Sequence, residues 1–325
     1  MSEIKEQPPA QKCHICVCIC TYKRPRLLGN LLSRLDVQKT GGLFDYSIVV
    51  VDNDSANSAR WTVERLAKQA QTSIKYYSEP QQNIALARNK AIEVSIGDFI
   101  AFIDDDEFPD SLWLLKLFLT ARQSKTDGIL GPVIPYFEVK PPTWALRGRL
   151  FDRPVHKTGQ VLEWKNTRTG NVLLRRALFE ADPVWFLPEF GSGGEDRDFF
   201  KRKIGQGHIF IWCNEAPVYE TVPPERWKLK TLLRRALLRG KVAFYASKSG
   251  PKSIYASLAA LFTYALSLPY LLLLSPLIGF ETFVKYLVKS CDHLGKIIIL
   301  FHIDLVTEKY VTTQSDEAGL MAKFG

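Results

Sequence analysis

From residue 13 onward the chain alternates short apolar runs with longer amphipathic ones. Residues 14–20 read as a strand, with Cys16, Cys18 and Cys20 on one face and Val17 and Ile19 on the other. Leucines 27, 28, 31, 32 and 35 then recur at helical spacing. The beat continues. Residues 46–54 read as a strand ending in acids, 58–71 as a helix, 73–79 as a strand and 84–95 as a helix. Residues 98–103 form the next strand, 111–124 a helix and 128–135 a strand. Strands alternating with helices predict an α/β fold, a wound and mostly parallel sheet with right-handed crossovers. Ligands of such sheets collect at strand carboxyl ends. Thr21, Asp52 and Asp104 all fall at such ends and are expected to converge.

Beyond residue 136 the pattern changes. Residues 136–154 are aromatic, basic and broken by proline, which suits a binding loop. Residues 163–180 read as a return to the sheet followed by a helix, 190–207 as a glycine-rich loop entering a helix, and 208–222 as a closing strand region. Arg226, Lys228, Lys230, Arg234, Arg235, Arg239, Lys241, Lys248 and Lys252 then face a single acid, Glu225. Residues 253–280 carry no charge at all, a run longer than the roughly 20 residues needed to cross a bilayer. After it, Phe283, Leu287, Leu294, Ile298 and Phe301 fall near one helical face alongside Lys285, Lys289 and Lys296, as in an interfacial helix. The apolar run either contacts a membrane, crossing it or dipping in and returning, or forms a buried hairpin broken at Pro269 and Pro276. The expected organisation is a disordered lead-in (1–12), a wound domain (13–224), a basic helical linker (225–252), membrane-associating helices (253–303) and a tail (304–325).

Composition narrows the picture. An apolar share of 46% over 325 residues supports a large core, and a net charge of +9 calls for an anionic partner. Nucleic acid is not expected, because the basic charge sits beside the apolar tail and no recognition motif appears. An anionic membrane fits that placement. Four of the six cysteines crowd into residues 13–20, but no second CxxC completes a zinc site, so they read as small buried thiols of a reducing cytosol.

The chemistry centres on "IDDDEFP". Asp104, Asp105 and Asp106 repel one another, and grouped hard oxygens are natural ligands for Mg²⁺ or Mn²⁺. Such an ion also makes a seat for a diphosphate. Asp52 and Asp54 are placed to accept hydrogen bonds from a base or ribose, and Arg88 offers a cation for phosphate. Glu195, Asp196 and Asp198 follow a glycine loop able to close over a substrate, where a carboxylate can act as general base. Each has an ordinary explanation: Asp54 as a helix cap, Arg88 as a helix surface residue, Glu195 and Asp196 as first-turn acids favoured by the helix dipole. Trp144, Trp164 and Trp185 suit stacking on sugar rings or core packing equally.

Taken in order, "VCICTYKRPRLL", "IVVVDNDS", "NIALARNKAI", "GDFIAFIDDDEFP", "TGNVLLRR" and "GGEDRDFFKR" resemble a family 2 glycosyltransferase of the GT-A fold over about residues 14–205, and the later stretch "EAPVYETVPPERWKLKTLLRRALLRG" resembles, less specifically, the bacterial membrane-associated type. The resemblance implies a nucleotide-sugar donor, a uridine diphosphate sugar being favoured, and transfer with inversion to an acceptor hydroxyl. It places Thr21, Tyr22 and Arg24 in the nucleotide pocket, Asp52 and Asp54 near the base, and Arg88 and Asn89 on the donor. Asp104 and Asp105 face ribose or sugar, and Asp106, with Asp104, holds the metal. Asp196 is the base, with Glu195 beside it. Asn171, Trp144 and Trp164 lie toward the acceptor. The QxxRW motif of processive synthases is reduced here to "PPERW", so one sugar per event is expected, and Lys23 stands where the family often has Asn. The basic tail suggests a lipid-linked glycan acceptor at the cytoplasmic face of the inner membrane, in cell-surface polysaccharide synthesis. Two alternatives share part of this pattern, an inactive glycan-binding scaffold and a sugar-nucleotide nucleotidyltransferase. The second would need a glycine-rich phosphate loop after the first strand, which "CICTYKRPR" lacks.

Overall fold

The computed structural model describes residues 12–180, 182–191, 193–247 and 251–301. The expected lead-in, apart from Lys12, and the expected tail lie outside the described residues. The first half alternates as β1 (Cys13–Thr21), α1 (Pro25–Leu35), β2 (Phe44–Asp52), α2 (Arg60–Ala67), β3 (Ile74–Ser78), α3 (Ile84–Val94) and β4 (Phe99–Phe102). Then come β5 (Glu107–Pro109), α4 (Trp113–Gln123), β6 (Gly128–Leu130), β7 (Val133–Tyr136) and α5 (Thr143–Arg147). The wound region ends with β8 (Val172–Arg175), α6 (Ala177–Glu180), α7 (Glu195–Gly205), β9 (Phe210–Trp212) and β10 (Val218–Thr221).

The main sheet runs β3-β2-β1-β4-β8-β6-β9. Its pairings are parallel except that β8 runs against both β4 and β6. A second sheet, β5-β10-β7, stands beside the carboxyl end of β4. The segment 128–135, expected as one strand, divides between the two sheets. Pro132 has no N–H for a ladder, and a side chain at Gly131 would collide with the Ala216 carbonyl and the Asn171 amide.

Strand alternation builds two cores. Ile15, Val17 and Ile19 pack with Leu28, Leu31 and Leu35 of α1 and Trp113, Leu114 and Leu117 of α4. Each of these leucines is removed from water, a gain of roughly 1.5–3 kcal/mol apiece at the upper bound set by an extended unfolded chain. Cys16 and Cys18 face the other way, against Ala85, Ala87 and Ala91 of α3. Small thiols opposite alanines let that helix approach closely, and the Cys18 thiol donates to the Ala91 carbonyl at 3.6 Å. Asn83 starts α3 by accepting from the N–H groups of Ala85 (3.0 Å) and Leu86 (3.2 Å).

The C-terminal part is helical: α8 (Leu229–Ser247), α9 (Pro251–Leu273), α10 (Ser275–Ile278) and α11 (Phe280–Ile298). Pro269 does not break α9, which continues to Leu273. Pro276 sits in the first turn of α10, where a missing N–H is tolerated. Among the described residues, 252–273 form the one helix long and apolar enough to cross a membrane, and almost none of it is buried. A buried hairpin is therefore not what forms.

Candidate functional site

Register brings the acids together. Thr21 is aligned with Asp52 across β1 and β2, and Cys18 with Phe102 across β1 and β4. Carrying the second alignment three residues on sets Thr21 beside Asp105, and its hydroxyl donates to Asp105 Oδ2 at 2.8 Å. Arg24, just ahead of α1, donates to Asp105 Oδ1 (2.8 Å) and Asp106 Oδ2 (3.2 Å). Arg88 of α3 donates to Asp104 Oδ1 at 3.3 Å and to Glu195 at the start of α7. Arg226 reaches Asp106 Oδ2 at 2.8 Å while also binding Glu220 of β10, which Arg153 grips from its other side. The repulsion within the triplet is thus offset by guanidinium groups drawn from three other segments.

Burial sets the titration of this cluster. It pushes Asp105 up to about 6, with the Arg24 charge opposing the rise and the Asp106 charge adding to it. Burial, then the Asp104 charge, lifts Glu107 well above the carboxylate range. Its Oε2 accepts from the Asp104 N–H at 3.2 Å, and its Oε1 is buried without a partner. Burial would likewise raise Glu220, but Arg153 and Arg226 hold it down at about 2. Burial lowers Arg168 to about 10, with neighbouring Arg153 acting the same way and Glu107 and Asp196 opposing.

The predicted residues separate into two groups. Thr21, Arg24, Arg88, Asp104, Asp105, Asp106 and Glu195 meet in one hydrogen-bonded cluster. Glu195 turns inward to Arg88, and its Oε2 is buried and unpartnered. Asp196, one residue on, is partly open, accepts from the Arg197 N–H and acts electrostatically on Arg168. Tyr22 carries the Lys23 amine over its ring at 5.2 Å. Asp54 uses Oδ1 on the Ala56 N–H, and its Oδ2 is buried with no partner.

The other group makes its contacts within the fold. Asp52 is fully buried and accepts from the N–H groups of Ala59 (2.8 Å) and Asp54 (3.2 Å) and from the Tyr76 hydroxyl (3.1 Å). Asn89 clamps the backbone of Phe186 through both ends of its amide. Asn171 is fully buried, donates to the carbonyls of Pro132 and Ala216 and accepts from the Trp113 indole, so its side chain has no surface to show an acceptor. Trp144 packs on Phe280, and Trp164 lies under the amines of Lys165 and Lys201.

Glu107, Arg153, Arg168, Glu220 and Gly170 were not foreseen. Glu107 extends the triplet to four acids in a row, a signal available in the sequence. A side chain at Gly170 would press on Glu107 Oε1 and Asp104 Oδ2, so this glycine keeps the acid cluster open. The remaining three are isolated charges whose neighbours come from distant segments.

Among the described residues no three acid, imidazole or thiolate groups gather at one point. Asp104 and Asp106 are carboxylates of the kind a small hard cation takes, and such an ion is commonly held by one or two carboxylates with phosphate and water oxygens completing the shell. Asp104 is the most open of the triplet, its side chain 45% exposed.

The chain is similar to known proteins in sequence and in fold. The profile of the family described as "Glycosyl transferase family 2" matches residues 16–182. The succinoglycan biosynthesis protein ExoM of Rhizobium meliloti (strain 1021) is 36% identical over 237 residues, 72% of this chain and 75% of ExoM. TarS of Staphylococcus aureus (strain Mu50 / ATCC 700699), a poly(ribitol-phosphate) beta-N-acetylglucosaminyltransferase, is 22% identical over 218 residues, a match spanning 35% of its length. The crystal structure of TarS 1–349 with UDP-GlcNAc superposes with a TM-score of 0.51 at 14% identity, covering 91% of this chain and 94% of that one. The mannosyltransferase PcManGT of Pyrobaculum calidifontis, in complex with GDP-Man and Mn2+, superposes with a TM-score of 0.60 at 18% identity, covering 91% and 89%. At such identities the two structures speak for the fold alone.

Proposed function

Because this chain belongs to the family 2 glycosyltransferases, we propose that it moves one sugar from a nucleotide diphosphate donor to a hydroxyl of a glycan acceptor, with inversion. The observation that carries this reading is the interleaved cluster of Asp104, Asp105, Asp106, Arg24, Arg88 and Glu195 at the strand ends. Arg88 and Arg24 are held by carboxylates and are pre-aimed at the place where a diphosphate would arrive, and oriented cations there stabilise it as a leaving group. Asp54, through its unpartnered Oδ2, accepts from the base or ribose. Asp104 and Asp106 hold Mg²⁺ or Mn²⁺, with Asp106 sharing its carboxylate with Arg226. When bound, the ion supplies Lewis-acid stabilisation of charge on the departing diphosphate. Asp196, on the open side of the cluster, takes the acceptor proton as the hydroxyl attacks from the face opposite the leaving group.

ExoM is named for succinoglycan biosynthesis and TarS for N-acetylglucosaminyl transfer to poly(ribitol-phosphate). That supports a polysaccharide role, and family membership supports a nucleotide-sugar donor, for which we take a uridine diphosphate sugar as the first candidate. The basic α8 beside α9, whose residues 253–273 carry no charge, supports a lipid-linked acceptor at the cytoplasmic face of a membrane.

Release of nucleoside diphosphate from a panel of UDP-, GDP- and dTDP-sugars, with calorimetry of donor binding, tests the assignment. Asp106→Ala should weaken donor binding in the presence of Mn²⁺ about tenfold or more. Asp196→Ala should bind donor almost normally and lose about 10²–10⁴-fold in transfer. Near-normal turnover by Asp196→Ala would remove it as the base.

A further inference from the structure

Helix α9 has its polarity inside out. Its inward side gives Ser257, 1% exposed, to the His293 ring at 3.2 Å and Tyr264 to the rings of Tyr286 and His293 of α11. Its outward side shows Tyr255, Leu258, Phe262, Leu266, Tyr270 and Leu273, a stripe at helical spacing that runs about 27 Å along the 23-residue helix. Leu273 is 78% exposed and Phe262 68%. Water around a helix selects the opposite arrangement. No acid or base interrupts this stripe; exposed Lys252 lies at the start of the same helix, and exposed Lys285 and Lys289 lie on α11, which packs along it. Apolar side chains with cations on the same and the adjoining helix match the acyl region of a lipid surface and its phosphates.

The packing fixes the orientation. α9 lies along α11, which carries Lys285, Lys289, Asp292 and Lys296. Asp292 is bridged at 3.1 Å to Arg239 of α8. α8 follows directly on the 224–227 turn, whose Arg226 binds Asp106 in the site. At its other end α11 meets α5 of the wound domain through Phe280 and Trp144. An upright α9 would draw these charges and part of the catalytic domain into hydrocarbon, where ionised groups are strongly disfavoured. We propose that α9 lies in the plane of an anionic lipid surface, its outer stripe among the acyl chains and Lys285 and Lys289 at the phosphates, so that the chain is held on one leaflet and does not cross it. This rests on the reading above that transfer takes place at a membrane.

Flotation of the full chain tests it, using phosphatidylcholine vesicles with and without about 30% phosphatidylglycerol. The chain should float with the mixed vesicles and much less with phosphatidylcholine alone. The double variant Leu258→Asp, Leu266→Asp should lose roughly a hundredfold in vesicle affinity, with its thermal melt and donor binding unchanged because both side chains already face outward. A fluorescent amino acid at 258, 266 or 273, quenched by lipids brominated along the acyl chain, should report one shallow depth at all three positions. A depth that grows steadily along the helix would replace this inference with a crossing helix. Wild-type chain that ignores both vesicles would overturn it, as would a lipid-free dimer that the double variant dissociates, since a second copy would then cover the stripe. Transfer to a water-soluble acceptor, abolished by Asp196→Ala, would survive any of these results.

Discussion

At the scale of the residue, Lys23 shows how a site constrains its own backbone. It follows Tyr22 at the end of β1 with a φ of 54°, in the left-handed region. A residue with a Cβ holds that conformation at a cost of about 1–2 kcal/mol, and Asn tolerates it better. Lys23→Asn should therefore stabilise the protein by about 0.5–1 kcal/mol, read as a rise of roughly 1–3 °C in Tm. An unchanged or lower Tm would mean that the Lys23 contact with the Tyr22 ring outweighs the backbone term. The acids of the triplet, Arg88 and Glu195 were legible because clustered charge after a strand has few structural uses. The duties of Asp52, Asn89 and Asn171 were not. Their partners, Ala59, Phe186 and the Pro132–Ala216 pair, are backbone groups that no side-chain pattern advertises.

At the scale of the element, helical and strand periodicity placed β1 to β4 and α1 to α4 within a few residues, because each has one face or both in a core. The division at Gly131–Pro132 escaped, since its cause is a carbonyl at Ala216, far along the chain. So did the reversed run of β8, which its four residues do not encode. The C-terminal helices show the same dependence on distant contact. α8 and α11 touch through Gly240 and Gly295, where a side chain on either would strike the backbone of the opposite helix. Gly295→Ala must push the pair apart, and such overpacking costs about 1–3 kcal/mol. Urea unfolding should show the loss as a lower midpoint. A midpoint equal to wild type would mean that the helices slide without penalty.

At the scale of the whole molecule, Glu220 joins the second sheet to the acid triplet and the C-terminal helices, through Arg153 on one side and Arg226 on the other. Its folded-state pKa of about 2 lies below the ordinary 4.5. A depressed carboxylate stabilises the folded state fully above its unfolded pKa and loses that contribution as pH falls through the folded value. The difference in unfolding free energy between wild type and Glu220→Gln should therefore be about 3 kcal/mol near neutral pH and shrink as pH drops from 4.5 toward 2. A gap that is flat with pH would disprove the linkage. The wound architecture at this scale followed from the alternation of strands and helices, whereas the bridging role of "PPERW" needed three segments to be seen at once.

The antiparallel β8 also has a temporal consequence. Among the described residues β6 finds its ladder partners only in β8 and β9, so residues 128–130 leave the ribosome well before these partners exist for them to pair with. The half-sheet β3-β2-β1-β4 closes from local crossovers, while the remainder waits for loop closure across a long intervening stretch. Order of synthesis and order of assembly therefore part company at β4. Until Val172 emerges, its outer edge is the exposed seam on which a nascent chain is most open to pairing with the wrong strand.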